Sequence, residues 1–106
     1  MTTTTTTIDG RTVHVNEEGF LTDPAEWDEQ LAKSLAAQIG LDLTDEHWEA
    51  IRFLRKDYVE QGETPTLRRI STAGGIPTKQ LFVLFPQKPA KKLAYVSGLP
   101  KPHGCV

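Results

Sequence analysis

The chain has 106 residues, of which 38% are hydrophobic and 25% charged, and its formal net charge is −2. That length and make-up fit one globular domain with its own core; neither a wholly disordered chain nor a second domain is expected. The longest unbroken apolar run, Leu81 to Phe85, is far short of the ~20 residues that cross a bilayer, so no membrane span is expected.

Met1 and six threonines open the chain. They lack the basic and apolar regions of a signal peptide, and residues 1–7 are expected to fray as a disordered tail. Ile8 to Val15 carries an Asp9-Gly10 turn followed by apolar–polar alternation, which predicts a β-hairpin. A third short strand over Gly19 to Leu21 would make it a meander. The rest reads as helix. Asp23 is a good N-cap, Pro24 suits the first helical position, and Trp27, Leu31, Leu35 and Ile39 form one stripe that Gly40 ends. Thr44 caps a second helix, with Asp45 and Glu46 favouring the dipole in its first turn; Trp48, Ile51, Leu54 and Tyr58 line it, and Gly62 stops it. The tryptophans read as core anchors. A third helix starts at Thr64-Pro65 and ends at Gly74-Gly75, a fourth runs from Pro77 to just before Pro86, and a fifth runs from Pro89 to near Gly98. Alternate prolines, Pro100 and Pro102, then forbid helix and favour an extended arm over 98–106. The fold class is α+β: a short hairpin or meander on about five short helices, with a mobile C-terminal arm.

Charge is segregated. Residues 1–50 hold two bases against eleven acids, and residues 51–106 hold ten bases against three acids. Either the halves attract each other across the fold, or the C-terminal half presents a basic face to an anionic partner: RNA, DNA or an acidic protein.

Chemistry centres on the single cysteine, Cys105. It forms no intrachain disulfide, and a cytoplasmic location is the expectation. A structural cysteine sits on an apolar face within an element, whereas this one is penultimate on the arm. Eight extended residues reach roughly 26–29 Å, enough to carry a thiol into a partner's active site. Lys101 favours the thiolate, as does His103 when protonated, and the Val106 carboxylate opposes it. That balance suits a carrier activated inside a partner; the alternative is a surplus cysteine on a loose tail. A metal site has little support. Of His14, His47, His103 and Cys105, only His103 and Cys105 are close in sequence, and structural zinc takes four ligands at characteristic spacing. His14 and His47 read as surface or capping residues. Hydrolase motifs are absent, and the run from Gly74 to Lys79 lacks the spacing of a phosphate loop.

Thr66 to Leu84 also reads as a helix-turn-helix. Ile70, Ile76, Leu81 and Leu84 are its apolar positions, Gly75 its turn, and Arg68, Arg69, Lys79 and Gln80 would face DNA. The alternative is an ordinary helical hairpin.

Several segments together resemble the DsrC/TusE family of small sulfur-carrier proteins. They are Leu84-Phe85-Pro86, Pro89-Ala90-Lys91, Gly98-Leu99-Pro100-Lys101-Pro102 and the penultimate Cys105, with support from Glu17 to Leu21, Leu43 to Glu49, Arg52 to Arg55, Pro65 and Arg68. The resemblance spans nearly the whole chain. It implies a cytoplasmic protein with a β-meander and helices, whose penultimate cysteine carries sulfur as a persulfide or in a disulfide with a partner. One branch relays sulfur to the enzyme that makes 2-thiouridine in tRNA. Another works with dissimilatory sulfite reductase and uses a second arm cysteine, at the position occupied here by Ala94. An arm disulfide or trisulfide is therefore closed to this chain, which favours the single-cysteine branch. The stretch from Pro65 to Leu84 is shorter than the family's, in a region near its partner contacts.

The sequence thus reads as a sulfur carrier on Cys105. Gly98 and Gly104 are the hinges of the arm, Pro100 and Pro102 stiffen it, and Leu99 and Lys101 complete it. Arg68, Arg69, Lys91 and Lys92 would guide an upstream persulfide donor and a downstream acceptor enzyme, alone or with tRNA. No cofactor and no metal are expected. A DNA-binding regulator and a partner of sulfite reductase are the alternatives.

Overall fold

The structure is a computed structural model, and it describes residues 4–102. Strands β1 (Thr4–Ile8) and β2 (Arg11–Val15) pair antiparallel, with Ile8 opposite Arg11 and Thr4 opposite Val15. The two-residue turn between them places Asp9 at φ 53° and Gly10 at φ 81°. Both are left-handed, as the commonest tight hairpin requires, and Asp-Gly is a preferred pair there. Thr4 to Thr7, expected to fray, instead form β1. Once the turn sets the register, β-branched side chains suit the extended backbone even though all four are exposed. Only Ile8 of β1 enters the core, whereas β2 contributes Val13 and Val15.

The third strand is reduced to one bridge, Val15 to Leu21. The Asn16 side chain accepts from the amides of Glu18 and Phe20, curling the chain before a full ladder can form.

The first helix is also interrupted. A 3-10 turn, Pro24–Glu26, is capped by Asp23, and α1 (Glu29–Gln38) starts afresh with the Asp28 side chain accepting from the Leu31 amide. Between them Trp27 is extended at φ −80°, ψ 142°. It therefore leaves the apolar stripe that Leu31 and Leu35 continue into the core.

Helix α2 (Asp45–Gln61) matches its predicted caps, with Thr44 before it and Gly62 after it. His47 completes the cap. Its Nδ1 accepts from the Thr44 amide at 3.1 Å, and its Nε2 pairs with the Leu84 carbonyl at 2.8 Å. His47 is thus a buried capping residue that ties α2 to α4, and not a surface residue. Helices α3 (Leu67–Gly74), α4 (Thr78–Leu84) and α5 (Pro89–Val96) follow. The third begins later than predicted, because Thr66, and not Thr64, is its cap: the Thr66 hydroxyl accepts from the Arg69 amide. Helix α5 packs against α1, α2 and α4. Its Leu93, Ala94 and Val96 are fully buried beside Leu35, Ile51, Leu54 and Phe85. None of the helices is long and apolar enough to cross a membrane among the described residues.

Candidate functional site

Cys105 and Gly104, with His103 and Val106, lie outside the described residues. The segment that leads to them, Val96 to Pro102, forms the site. Helix α5 ends in a paired closure. The Gly98 amide donates to the Tyr95 carbonyl at 3.2 Å, and the Leu99 amide reaches back to Ala94 at 3.1 Å. That geometry needs a left-handed residue, and Gly98 supplies φ 68°.

Gly98 was expected to be a hinge, but its surroundings fix it. A Cβ built there would lie 2.4 Å from Cδ1 of Trp27. The indole is held in turn: Trp27 Nε1 donates to the Val96 carbonyl at 2.8 Å. Arg55 covers the ring, with its guanidinium carbon 4.1 Å from the ring centroid. The same guanidinium donates to the Ser97 carbonyl at 2.7 Å and to the Pro24 carbonyl at 3.1 Å. Burial lowers the Arg55 pKa from its ordinary value. Two carbonyls and the indole face take the place of the water that its charge has lost.

Beyond Gly98 the chain stays on the body. Leu99 is 1% exposed. The Thr64 hydroxyl donates to the Pro100 carbonyl at 2.8 Å, Lys101 Nζ lies 3.1 Å from Glu18 Oε2, and Pro102 is buried. The expected mobile arm over 98–106 is therefore docked through Pro102. Apolar burial of Leu99 and a hydrogen bond to each side of it outweigh the freedom that the prolines leave.

The four basic residues singled out from sequence separate. Arg68 is exposed. Arg69 is committed to the fold, since its Nε and Nη2 each donate at 2.8 Å to the buried carboxylate of Asp57, bracing α3 on α2. That guanidinium holds the Asp57 carboxyl below the usual carboxylate range. Lys92 Nζ donates to the Pro86 carbonyl at 2.6 Å, and Lys91 lies 3.9 Å from Glu18. Lys91 and Lys92 share a cleft beside the arm with Lys88 and Tyr95; Tyr95 has its pKa raised by burial. For a DNA-reading face, two of the four required side chains are already engaged: Arg69 by Asp57 and Gln80 by Glu46. The two histidines among the described residues have protein partners too, His14 with Glu26 at 2.6 Å and His47 as described.

Trp27, Arg55, Thr64 and Glu18 form the site without having been singled out for it. The only local signal was the Trp27 stripe, which pointed to α1. Arg55 reaches carbonyls 42 and 31 residues away, and no spacing rule carries that information.

Comparison with known proteins agrees with this fold. A family model described as "DsrC like protein" matches residues 7–106. The sulfurtransferase TusE of Pectobacterium atrosepticum is 38% identical over 106 aligned residues, covering 93% of this chain and 97% of that protein. The TusE of Salmonella typhimurium is 35% identical with the same coverage. Among solved structures, DsrC of Allochromatium vinosum superposes with a TM-score of 0.84 at 39% identity, covering 99% of this chain and all of that one. The oxidised gamma-subunit of the dissimilatory sulfite reductase, DsrC, from Archaeoglobus fulgidus superposes at 0.76 with 35% identity, covering 97% and 100%.

Proposed function

We propose that this chain, which belongs to the DsrC-like family, is a sulfur carrier that takes sulfane sulfur onto Cys105 and passes it to an acceptor enzyme. The observation that carries the reading is the Gly98-Leu99-Pro100-Lys101-Pro102 segment leading to a penultimate cysteine, fastened to the body by Trp27, Arg55 and Thr64. A carrier needs a thiol presented at a defined place and a protein body that partners can recognise. It does not need a deep pocket around the sulfur.

In the loading step the Cys105 thiolate attacks the outer sulfur of a donor persulfide. A new S–S bond forms, the donor's S–S bond breaks, and the donor leaves as a thiolate, so no external oxidant or reductant is required. Delivery repeats the exchange, with the acceptor's thiolate as the attacking group. An upstream donor and a downstream acceptor are thus the partners, and 2-thiouridine synthesis in tRNA is the route that the kinship with TusE favours. Ala94 stands where a second arm cysteine is needed for an internal disulfide. It is fully buried in α5, which favours relay over the sulfite-reductase branch.

Intact-protein mass spectrometry after incubation with a persulfide donor tests the reading. Wild type is expected to gain one sulfur, about 32 Da, removable by reductant, and Cys105→Ala is expected to gain none. Failure of an alkylation-competent Cys105 to load from any donor persulfide overturns it. In that event, salt-dependent DNA binding that survives Cys105→Ala would favour the regulator.

A further inference from the structure

We infer that the cleft beside the arm is the docking site for an acidic segment of a partner protein, one that inserts a single large apolar side chain. The inference deepens the carrier reading, because it names the chemistry of the surface a donor or acceptor presents. The cleft holds about 360 Å³, at the small end of the ~300–1,000 Å³ range of ligand sites and suited to one side chain. Phe20, Ile39 and Tyr95 line it on the apolar side, and Lys88, Lys91 and Lys92 supply its charge.

Glu18 shows what the lysines accept. It also lines the cleft, and its carboxylate meets Lys101 at 3.1 Å and Lys91 at 3.9 Å. The cleft and its rim hold one carboxylate, Glu18, against four lysines: Lys88, Lys91 and Lys92 on the lining and Lys101 paired with Glu18. Lys92 donates to the neutral Pro86 carbonyl and pairs with no carboxylate among the described residues. The surplus is positive and spread around an apolar surface, which matches a carboxylate-flanked apolar anchor.

Single-stranded nucleic acid fits less well, because it requires exposed aromatic faces for stacking. Phe20 is 2% exposed and meets Tyr95 edge to face at 5.9 Å, so its ring is spent on the body and half-buried Tyr95 alone of the lining offers a base an aromatic face. The location gives docking a consequence. Lys101 belongs to the base of the arm, and an incoming carboxylate competes with Glu18 for it. Partner binding and release of the arm's lysine are therefore linked.

The test uses the full chain, labelled with nitrogen-15, and a synthetic peptide of one tryptophan flanked by aspartates and glutamates. Amide shifts are expected at Phe20, Ile39 and Tyr95. Lys88→Ala and Lys91→Ala, both surface changes, are each expected to weaken binding about twofold to fivefold, and Glu18→Gln to tighten it by a similar factor. Shifts confined to other surfaces, equal binding when the tryptophan is replaced by alanine, or tighter binding of a single-stranded RNA of equal charge would each overturn the inference. Sulfur loading of Cys105, measured on the same proteins, separates the two readings. Docking lost with loading intact removes the cleft alone, and loading lost with docking intact removes the carrier reading alone.

Discussion

Adding one methyl group at Gly98 tests the clamp most directly. In Gly98→Ala the new Cβ falls 2.4 Å from Trp27 Cδ1 and 2.7 Å from its Cβ and Cγ, so either the indole or the end of α5 must move. Alanine at φ 68° costs about 1 kcal/mol by itself. Moving the indole also forfeits its 2.8 Å bond to Val96, about 1 kcal/mol. Loss of its contact with Arg55 and some packing adds about 1–2 kcal/mol. The sum is about 3–4 kcal/mol, large for one methyl group. Gly62→Ala is the control, since Gly62 has φ 78° but nothing within 4 Å of an added Cβ. It carries the conformational term alone, about 1 kcal/mol. Urea unfolding of both variants measures the difference, and in a Trp27→Ala background the excess penalty at Gly98 should shrink but persist in part, because the Cβ that alanine keeps lies 2.7 Å from the added methyl. If Gly98→Ala lies within about 0.5 kcal/mol of Gly62→Ala, Trp27 does not fix the arm's base and the argument fails.

Asp57→Asn removes the charge that Arg69 grips, and should lower the urea midpoint at neutral pH. Because Arg69 holds the Asp57 carboxyl below its ordinary range, that stabilisation is complete above the unfolded carboxylate value and disappears as pH falls through the lower folded one. Wild type should therefore lose it progressively below about pH 4, and the asparagine variant should show a flatter acid limb. Thr64→Val keeps the shape but deletes the donor to Pro100. It should cost about 1 kcal/mol and hasten hydrogen exchange at Leu99 and Lys101 without changing exchange in α2, and uniform acceleration would contradict a local role. The Ser97 hydroxyl is buried with no hydrogen-bond partner among the described residues. Ser97→Ala should raise stability by about 1 kcal/mol in thermal or urea melts, and a loss would show that the hydroxyl is satisfied.

What sequence made legible was what is local in energy. The Asp9-Gly10 turn, the Thr44 cap, the Gly62 stop and the proline-led start of α5 each rest on a few adjacent residues, and each is present. The α+β architecture followed from them. The misreadings share a cause, which is that a distant partner overrode a local preference. Trp27 continues a helical stripe in sequence, yet it turns out of the helix to bond a carbonyl 69 residues away. Arg69 reads as a free cation until Asp57, twelve residues earlier and on the neighbouring helix, claims it. The prolines after Gly98 do prevent helix, but extended backbone can lie on the body as readily as leave it, and the burial of Leu99 decides between the two.

Docking of the arm's base sets a length that bears on partner recognition. From Gly98 to Cys105 the seven residue steps span at most roughly 23–25 Å; from Pro102 to Cys105 the three steps span at most about 10–11 Å. A partner that uses the longer reach must first peel Leu99 off the core, about 2 kcal/mol. It must also break the bond from Thr64 to Pro100, about 1 kcal/mol, and part Lys101 from Glu18, a surface pair of small worth. The total, about 3–4 kcal/mol, is roughly a factor of 10²–10³ in affinity. A partner that receives Cys105 within the shorter radius avoids that penalty, but it must then bring its surface close to Pro102. Lys101 is the neighbouring residue and Glu18 its ion-pair partner, so such a surface meets the lysine-lined edge where Glu18 now sits. The short tether and the charged cleft thus impose the same requirement on a partner: acidic groups placed within about 11 Å of the site that takes the sulfur.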